Sequence, residues 1–215
     1  MSVFPIMNAL FAGMLLFSVF TWSVSLLLLS LIYGLFLIFV YLLDTSCNSR
    51  QYKIAFWLFI LSEAIIFATL GFCCIYFDFD YYTNLSSSKE LPFLGCFLLL
   101  GSSLTASACH RFFKWDTGCY FLLFLTMVLG LGFVVVQMWE MDEIIVNIYD
   151  NSFYASCFCT VGLHFSHVVL GLIGLGVVAW YGPKEFGYYR STLVIWYWHF
   201  VDYIWIFVYI VVYIC

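Results

Sequence analysis

Charge is what this 215-residue chain most lacks: 9% of its residues are Asp, Glu, Lys or Arg, where a soluble domain carries about 25%. Seven basic and twelve acidic side chains cannot clothe a globule of this size in water, so a soluble fold is excluded. No basic cluster is present either, which removes nucleic acid as a partner. Prolines number three, and no low-complexity linker or internal repeat divides the chain. Walker, Rossmann and nucleophile-elbow patterns are missing, so nothing in the sequence cradles a phosphate or arms a serine. Among nine cysteines no Cys-x-x-Cys pair occurs; the closest are Cys73-Cys74 and Cys157-Phe158-Cys159. They read as small apolar membrane residues rather than as a disulfide framework or a metal site. The opening Met-Ser-Val-Phe-Pro has neither a positive run nor an Arg-rich amphipathic stretch. No cleaved leader is therefore expected, and synthesis inside an organelle or in a bacterium fits.

What is there is apolar: 66% of the residues are hydrophobic. A helix crossing about 30 Å of hydrocarbon needs about 20 such residues, so seven spans consume most of the chain and leave no room for a soluble appendage. The first charged residue is Asp44. An uncharged run of that length as one helix would measure about 64 Å, so it must fold back, with Thr21-Trp22-Ser23 as the polar break. The expected fold class is all-α, a single polytopic membrane domain over residues 1–215. Its seven transmembrane helices lie at about 4–20, 24–43, 52–77, 92–112, 118–139, 152–181 and 191–214. Pro5, Pro92 and Pro183 all fall at these boundaries.

Loops on one side hold Arg50, Lys53, Arg111, Lys114, Lys184 and Arg190, against Lys89 alone on the other. That asymmetry predicts an inside N-terminus and an outside C-terminus. Asp78, Asp80, Glu90, Glu140, Asp142, Glu143 and Asp150 fall outside, and Asp44, Asp116 and Glu185 inside. Asn84-Leu85-Ser86 is a formal glycosylation sequon of the kind that short sequences produce by chance. Trp115, Trp139, Trp180-Tyr181, Tyr188-Tyr189 and Trp196-Tyr197-Trp198 read as an aromatic belt at the interfaces.

Only Glu63 and Asp202 remain inside spans. Glu63 sits about 16 Å beyond the inner end of helix 3, near the midplane, where a charge costs at least about 2.5–3.5 kcal/mol. Two readings stand: a neutral acid hydrogen-bonded to a neighbouring helix, or a proton-accepting site paired with a histidine. His164 and His167 share one face of helix 6, and His199 and Asp202 repeat the same spacing on helix 7. Glu63, Asp202 and a helix 6 histidine are therefore expected in one buried polar cluster joining helices 3, 6 and 7. With His110 the histidines number four, but no His-x-x-x-His or Glu-x-x-His spacing accompanies them, so no metal is expected on this chain. Gln137 and Glu140 read as a hydrogen-bonding pair at the end of helix 5. Gly171, Gly174 and Gly176 read as small residues that let helices approach.

Residues 196–209, Trp-Tyr-Trp-His-Phe-Val-Asp-Tyr-Ile-Trp-Ile-Phe-Val-Tyr, closely resemble the last helix of the cytochrome c oxidase subunit III family. The stretch Gly162-Leu-His-Phe-Ser-His-Val-Val-Leu-Gly171 resembles that family's two-histidine motif, Ser62-Glu63 its membrane-buried glutamate, and Gln137-Met-Trp-Glu140 the end of its helix 5. Order and spacing agree from about residue 50 onward. The chain departs from the pattern in its short 78–91 loop, which lacks a Trp-Pro-Pro element. It also has Cys109-His110 where two histidines are common, and Tyr41-Leu-Leu-Asp44 in place of a Trp-Trp-Arg stretch.

The resemblance implies a subunit without a redox centre of its own, in a complex that passes electrons from cytochrome c to dioxygen and pumps protons. Haem and copper belong to subunits I and II. The chain would pack on subunit I, beside subunit II and accessory subunits, and hold phospholipid in a cleft between helices 1–2 and 3–7. Glu63, His164, His167, His199 and Asp202 are then structural or lipid- and proton-environment residues, and His110, Gln137 and Glu140 helix-end polar ones. None is catalytic or a metal ligand. The expected location is the mitochondrial inner membrane, with a bacterial plasma membrane as the alternative. Competing readings are a quinol-oxidase subunit III and a stand-alone proton or ion transporter working through Glu63 and Asp202.

Overall fold

The computed structural model describes residues 4–47, 53–78, 85–87, 89–113 and 116–214. Arg50, Asp80, the Asn84 of the sequon, Lys114 and Trp115 lie outside the described residues. Seven α-helices follow one another: α1 (Phe4–Phe20), α2 (Val24–Cys47), α3 (Lys53–Phe77), α4 (Leu91–Arg111), α5 (Asp116–Glu143), α6 (Ser152–Phe186) and α7 (Tyr188–Tyr209). Helix α7 runs on as a wider π-helical stretch, Ile210–Ile214. Among the described residues there is no strand.

Each boundary has a local cause. At the end of α1 the Thr21 hydroxyl donates to the Phe17 carbonyl at 2.8 Å, and Trp22 takes a positive φ of 51°. That reverses the chain at the expected polar break. Pro92 sits in the first turn of α4, where its missing N–H has no helical partner to lose. Asn151 caps α6 in extended conformation, its side chain accepting from the Ser152 N–H.

Several ends differ from expectation. Helix α2 runs to Cys47 rather than 43, and α5 spans Asp116–Glu143 rather than 118–139. Charged side chains at a helix end do not stop it when they can reach water or a partner, and Glu140 has two such partners, described below. Helix α6 was expected to close at 181. Its φ of 78° at Gly182 does break it there, and Pro183 opens a further short helical piece to Phe186. Gly187, with φ of 96°, then separates α6 from α7, which starts at Tyr188 rather than 191.

Five helical stretches among the described residues are long and apolar enough to cross a membrane: Lys53–Phe77, Leu91–Arg111, Gly118–Glu143, Ser152–Phe186 and Tyr188–Ile214. The shortest has 21 residues, about 31 Å of helix, which matches the hydrocarbon thickness. The apolar stretches Ile6–Ser18 and Val24–Leu37 of α1 and α2 are shorter.

The chain forms two compact units, Met1–Gln51 and Tyr52–Cys215. In the first, α1 packs on α2. A Cβ at Gly34 would stand 2.7 Å from the Phe11 ring, so glycine there is what lets the two helices close. Ser18 and Ser30, both buried, donate to carbonyls of their own helices at 2.7 and 2.8 Å. Hydroxyls in apolar surroundings are satisfied this way without a second helix.

In the second unit α4 pairs with α5 and α6 with α7, while α3 lies on α6 and α7, and α7 also on α4. Trp198 on α7 ties this unit together. Its indole is fully buried and lies against Gly130 of α5 and Gly171 of α6, where an added Cβ would come within 2.8 Å of the ring. Its Nε1–H donates to Ser102 Oγ on α4 at 3.0 Å. One side chain of α7 thus touches three other helices. Trp198 is therefore a core residue and not part of an aromatic belt, whereas Trp139 and Trp180 are exposed as a belt requires.

Candidate functional site

Carboxyl and imidazole groups inside an apolar bundle persist only where partners satisfy them, so the hydrogen bonds indicate what each group can do. Three polar groups stand out in the second unit.

The first joins α3 to α6. His167 Nε2 and Glu63 Oε2 are 3.0 Å apart, and the imidazole rests edge-on to Phe67. His167 Nδ1 lies 2.8 Å from the carbonyl oxygen of Leu163. A carbonyl only accepts, so Nδ1 carries a proton. Two arrangements then close the contact with Glu63. Either the carboxylic acid donates to a neutral Nε2, or an imidazolium donates to a carboxylate. Both hold one transferable proton in the pair, and both leave it with no net charge. Its surroundings are mixed: the histidine side chain is 9% exposed and the glutamate 19%.

The second group runs along α4 and α7. Asp202 is buried. Ser102 Oγ is 3.5 Å from its Oδ1, but the same hydroxyl already donates to the Leu99 carbonyl at 2.7 Å. Oδ2 has no hydrogen-bond partner among the described residues, and its nearest basic neighbour is His199 Nδ1 at 4.0 Å. His199 is held from α4, Nδ1 by Ser103 Oγ at 2.7 Å and Nε2 by Ser107 Oγ at 3.3 Å. Nearer the end of α4, His110 Nε2 lies 3.2 Å from Thr192 Oγ1 of α7. Ser103, Ser107 and His110 fall on one helical face by their spacing, so a polar file follows the seam of the two helices. His164 links α6 to this seam: its Nε2 donates to the Val201 carbonyl at 3.2 Å.

Of the expected cluster of Glu63, Asp202 and a helix 6 histidine, the contact between helices 3 and 6 is present. Glu63 meets His167, while the contacts of Asp202 run to α4 instead of α3. The sequence reading missed Ser102, Ser103 and Ser107. Serines are ordinary in apolar helices, and nothing in their own residue type distinguishes them.

The third group closes α5. Glu140 is 1% exposed; it accepts from Gln137 Nε2 and from Ser86 Oγ, each at 2.8 Å. The pair on α5 thus also pins residues 85–87 to the end of that helix. A groove of about 350 Å³ lies on the same unit, lined by Phe56, Trp57 and Ile60 of α3 and by Trp196, His199 and Tyr203 of α7, among others. Among the described residues no three His, Cys, Asp or Glu side chains converge as a metal site requires.

The whole chain, residues 2–215, matches the family model for cytochrome c oxidase subunit III. It is 33% identical over 191 residues to the cytochrome c oxidase subunit 3 of Bacillus sp. (strain PS3), covering 79% of this chain and 88% of that protein. It is 28% identical over 195 residues to the cytochrome c oxidase subunit 3 of Myxine glutinosa, covering 79% and 71% respectively. A protein of Rickettsia prowazekii (strain Madrid E), named probable cytochrome c oxidase subunit 3, is 31% identical over 134 residues, 58% of this chain and 48% of that one.

Proposed function

The chain belongs to the cytochrome c oxidase subunit III family, and from that premise we propose that it is the non-redox core subunit of a proton-translocating haem-copper oxidase. Electrons from cytochrome c reach dioxygen through haem and copper in subunits I and II. This chain packs on subunit I, beside accessory subunits, and binds phospholipid. It spans the membrane seven times with its N-terminus inside. Its location is the mitochondrial inner membrane.

The observation that carries this reading is the family match over residues 2–215. Residues at the motif positions also make contacts that suit a scaffold. Glu63 and His167 share one proton between two helices, and Glu140 is fully bonded at a helix end. The groove between α3 and α7 has the apolar lining that a lipid acyl chain fits.

Capture of the tagged chain from its own membrane tests the proposal. Haem-bearing subunits should co-purify in fixed ratio, and vesicles holding the purified chain alone should pass neither protons nor other ions. Flux through the chain alone, abolished by replacing Glu63 or Asp202, would instead establish a transporter. Co-purification with a complex that oxidises quinol and not cytochrome c would establish a quinol oxidase.

A further inference from the structure

Cys109 lies in the last turn of α4 and Cys119 in the first turn of α5, the two helices that form one hairpin. Both side chains are buried, at 0% and 1% exposure. Their Sγ atoms are 2.8 Å apart, and the Cys109 thiol also lies 3.4 Å from the Cys119 carbonyl oxygen. Heavy atoms that are merely in contact settle at about 3.5–4.0 Å, and the sulfurs of a disulfide are about 2.05 Å apart. The two free thiols are therefore in direct contact, with no atom between the sulfurs. A second thiol pair gives the internal comparison: Cys157 of α6 and Cys74 of α3 are 4.0 Å apart, an ordinary contact, with Thr160 Oγ1 3.5 Å from Cys74.

We propose that Cys109 and Cys119 are a redox-active dithiol that closes to a disulfide between α4 and α5, with hydrogen peroxide as the two-electron oxidant. One sulfur attacks a peroxide oxygen, the O–O bond breaks, and a sulfenic acid forms as the first water leaves. The second sulfur attacks that sulfenic sulfur; the S–S bond forms and the hydroxyl leaves with a proton as the second water. Two thiols lose two electrons and the two peroxide oxygens gain them. The sulfenic stage is reversible and condenses readily with a neighbouring thiol. A second thiol already 2.8 Å away makes that condensation faster than further oxidation.

The link has a structural consequence. Helix α4 carries Ser102, Ser103, Ser107 and His110, which hold the polar residues of α7. A covalent tie at Cys109 fixes the end of α4 one residue from His110, and a dithiol reductant releases it.

The test uses membranes that hold the chain in its native assembly. They are exposed to hydrogen peroxide, denatured in the presence of N-ethylmaleimide, and digested for mass spectrometry. The expected result is a cross-linked Cys109–Cys119 peptide two hydrogens lighter than the dithiol form. The alkylated fraction of both residues should fall about tenfold and recover with dithiothreitol. The Cys74–Cys157 link should appear only at higher peroxide. Full alkylation of Cys109 and Cys119 after peroxide would overturn the proposal. So would a Cys74–Cys157 link forming first, or oxidation of Cys109 that stops at its sulfur acids.

Discussion

Replacing Glu63 separates the two proton arrangements that its contact with His167 permits. Because Nδ1 of His167 is committed to the Leu163 carbonyl, only Nε2 faces Glu63, at 3.0 Å. If the acid donates to a neutral imidazole, Glu63→Gln puts an amide N–H in the same place. One neutral hydrogen bond then replaces another, and the stability change stays within about 1 kcal/mol. Glu63→Leu removes the donor and leaves Nε2 unpaired in a mostly buried position, at a cost of about 1–3 kcal/mol. If the pair is instead imidazolium and carboxylate, Gln strands a buried charge, a loss of about 3–5 kcal/mol that would match or exceed the Leu variant. The assay is denaturant-induced release of this chain from the purified complex in lipid nanodiscs, comparing midpoints for Glu63, Gln and Leu. The expected order is Glu63 close to Gln, and both well above Leu. A Gln variant as weak as the Leu variant would refute the neutral pair.

Other substitutions probe the packing beneath the polar groups. Gly171→Ala sets a methyl 2.8 Å from the Trp198 ring, which Gly130 also approaches, so thermal unfolding should show a loss of about 1–3 kcal/mol. Gly176→Ala meets nothing within 4 Å, and the same melt should read it as neutral or up to about 1 kcal/mol stabilising. Gln137→Leu takes away the donor to Glu140 Oε2 and should cost about 1–3 kcal/mol. Ser86→Ala should cost less, because Gln137 remains, while raising the rate of proteolytic cleavage at residues 85–87.

The segmentation was legible because lipid imposes it: a span must be about 20 residues long and must shed its charges. Prolines and a few polar breaks then mark the joints. Where an expected bound slipped, at the end of α5, the cause is tertiary. Glu140 is retained in the helix by Gln137 and Ser86, whereas Gly182 does break α6 where Gly182-Pro183 is expected to end it. Glu63 and His167 were legible for the same reason as the spans, since an ionisable group at mid-depth demands a partner and one helix 6 face supplied it. The hold of α4 on Asp202 and His199 was not legible, because a serine in an apolar helix usually satisfies itself on its own backbone, as Ser102 also does with Leu99. Trp198 was misread as a belt residue. Its place depends on glycines of two other helices, which no pattern within α7 records. The approach of Cys109 to Cys119 likewise depends on the register of the α4–α5 hairpin.

The central claim is that this chain serves a haem-copper oxidase without carrying its redox centre. The visible spectrum tests it most directly, recorded on the complex captured through this chain and again on the chain after dissociation from its partners. The account predicts a strong Soret band in the captured complex and none in the separated chain, with the haem remaining on the partner subunits. A Soret band that follows this polypeptide, or a captured complex without haem, would contradict it.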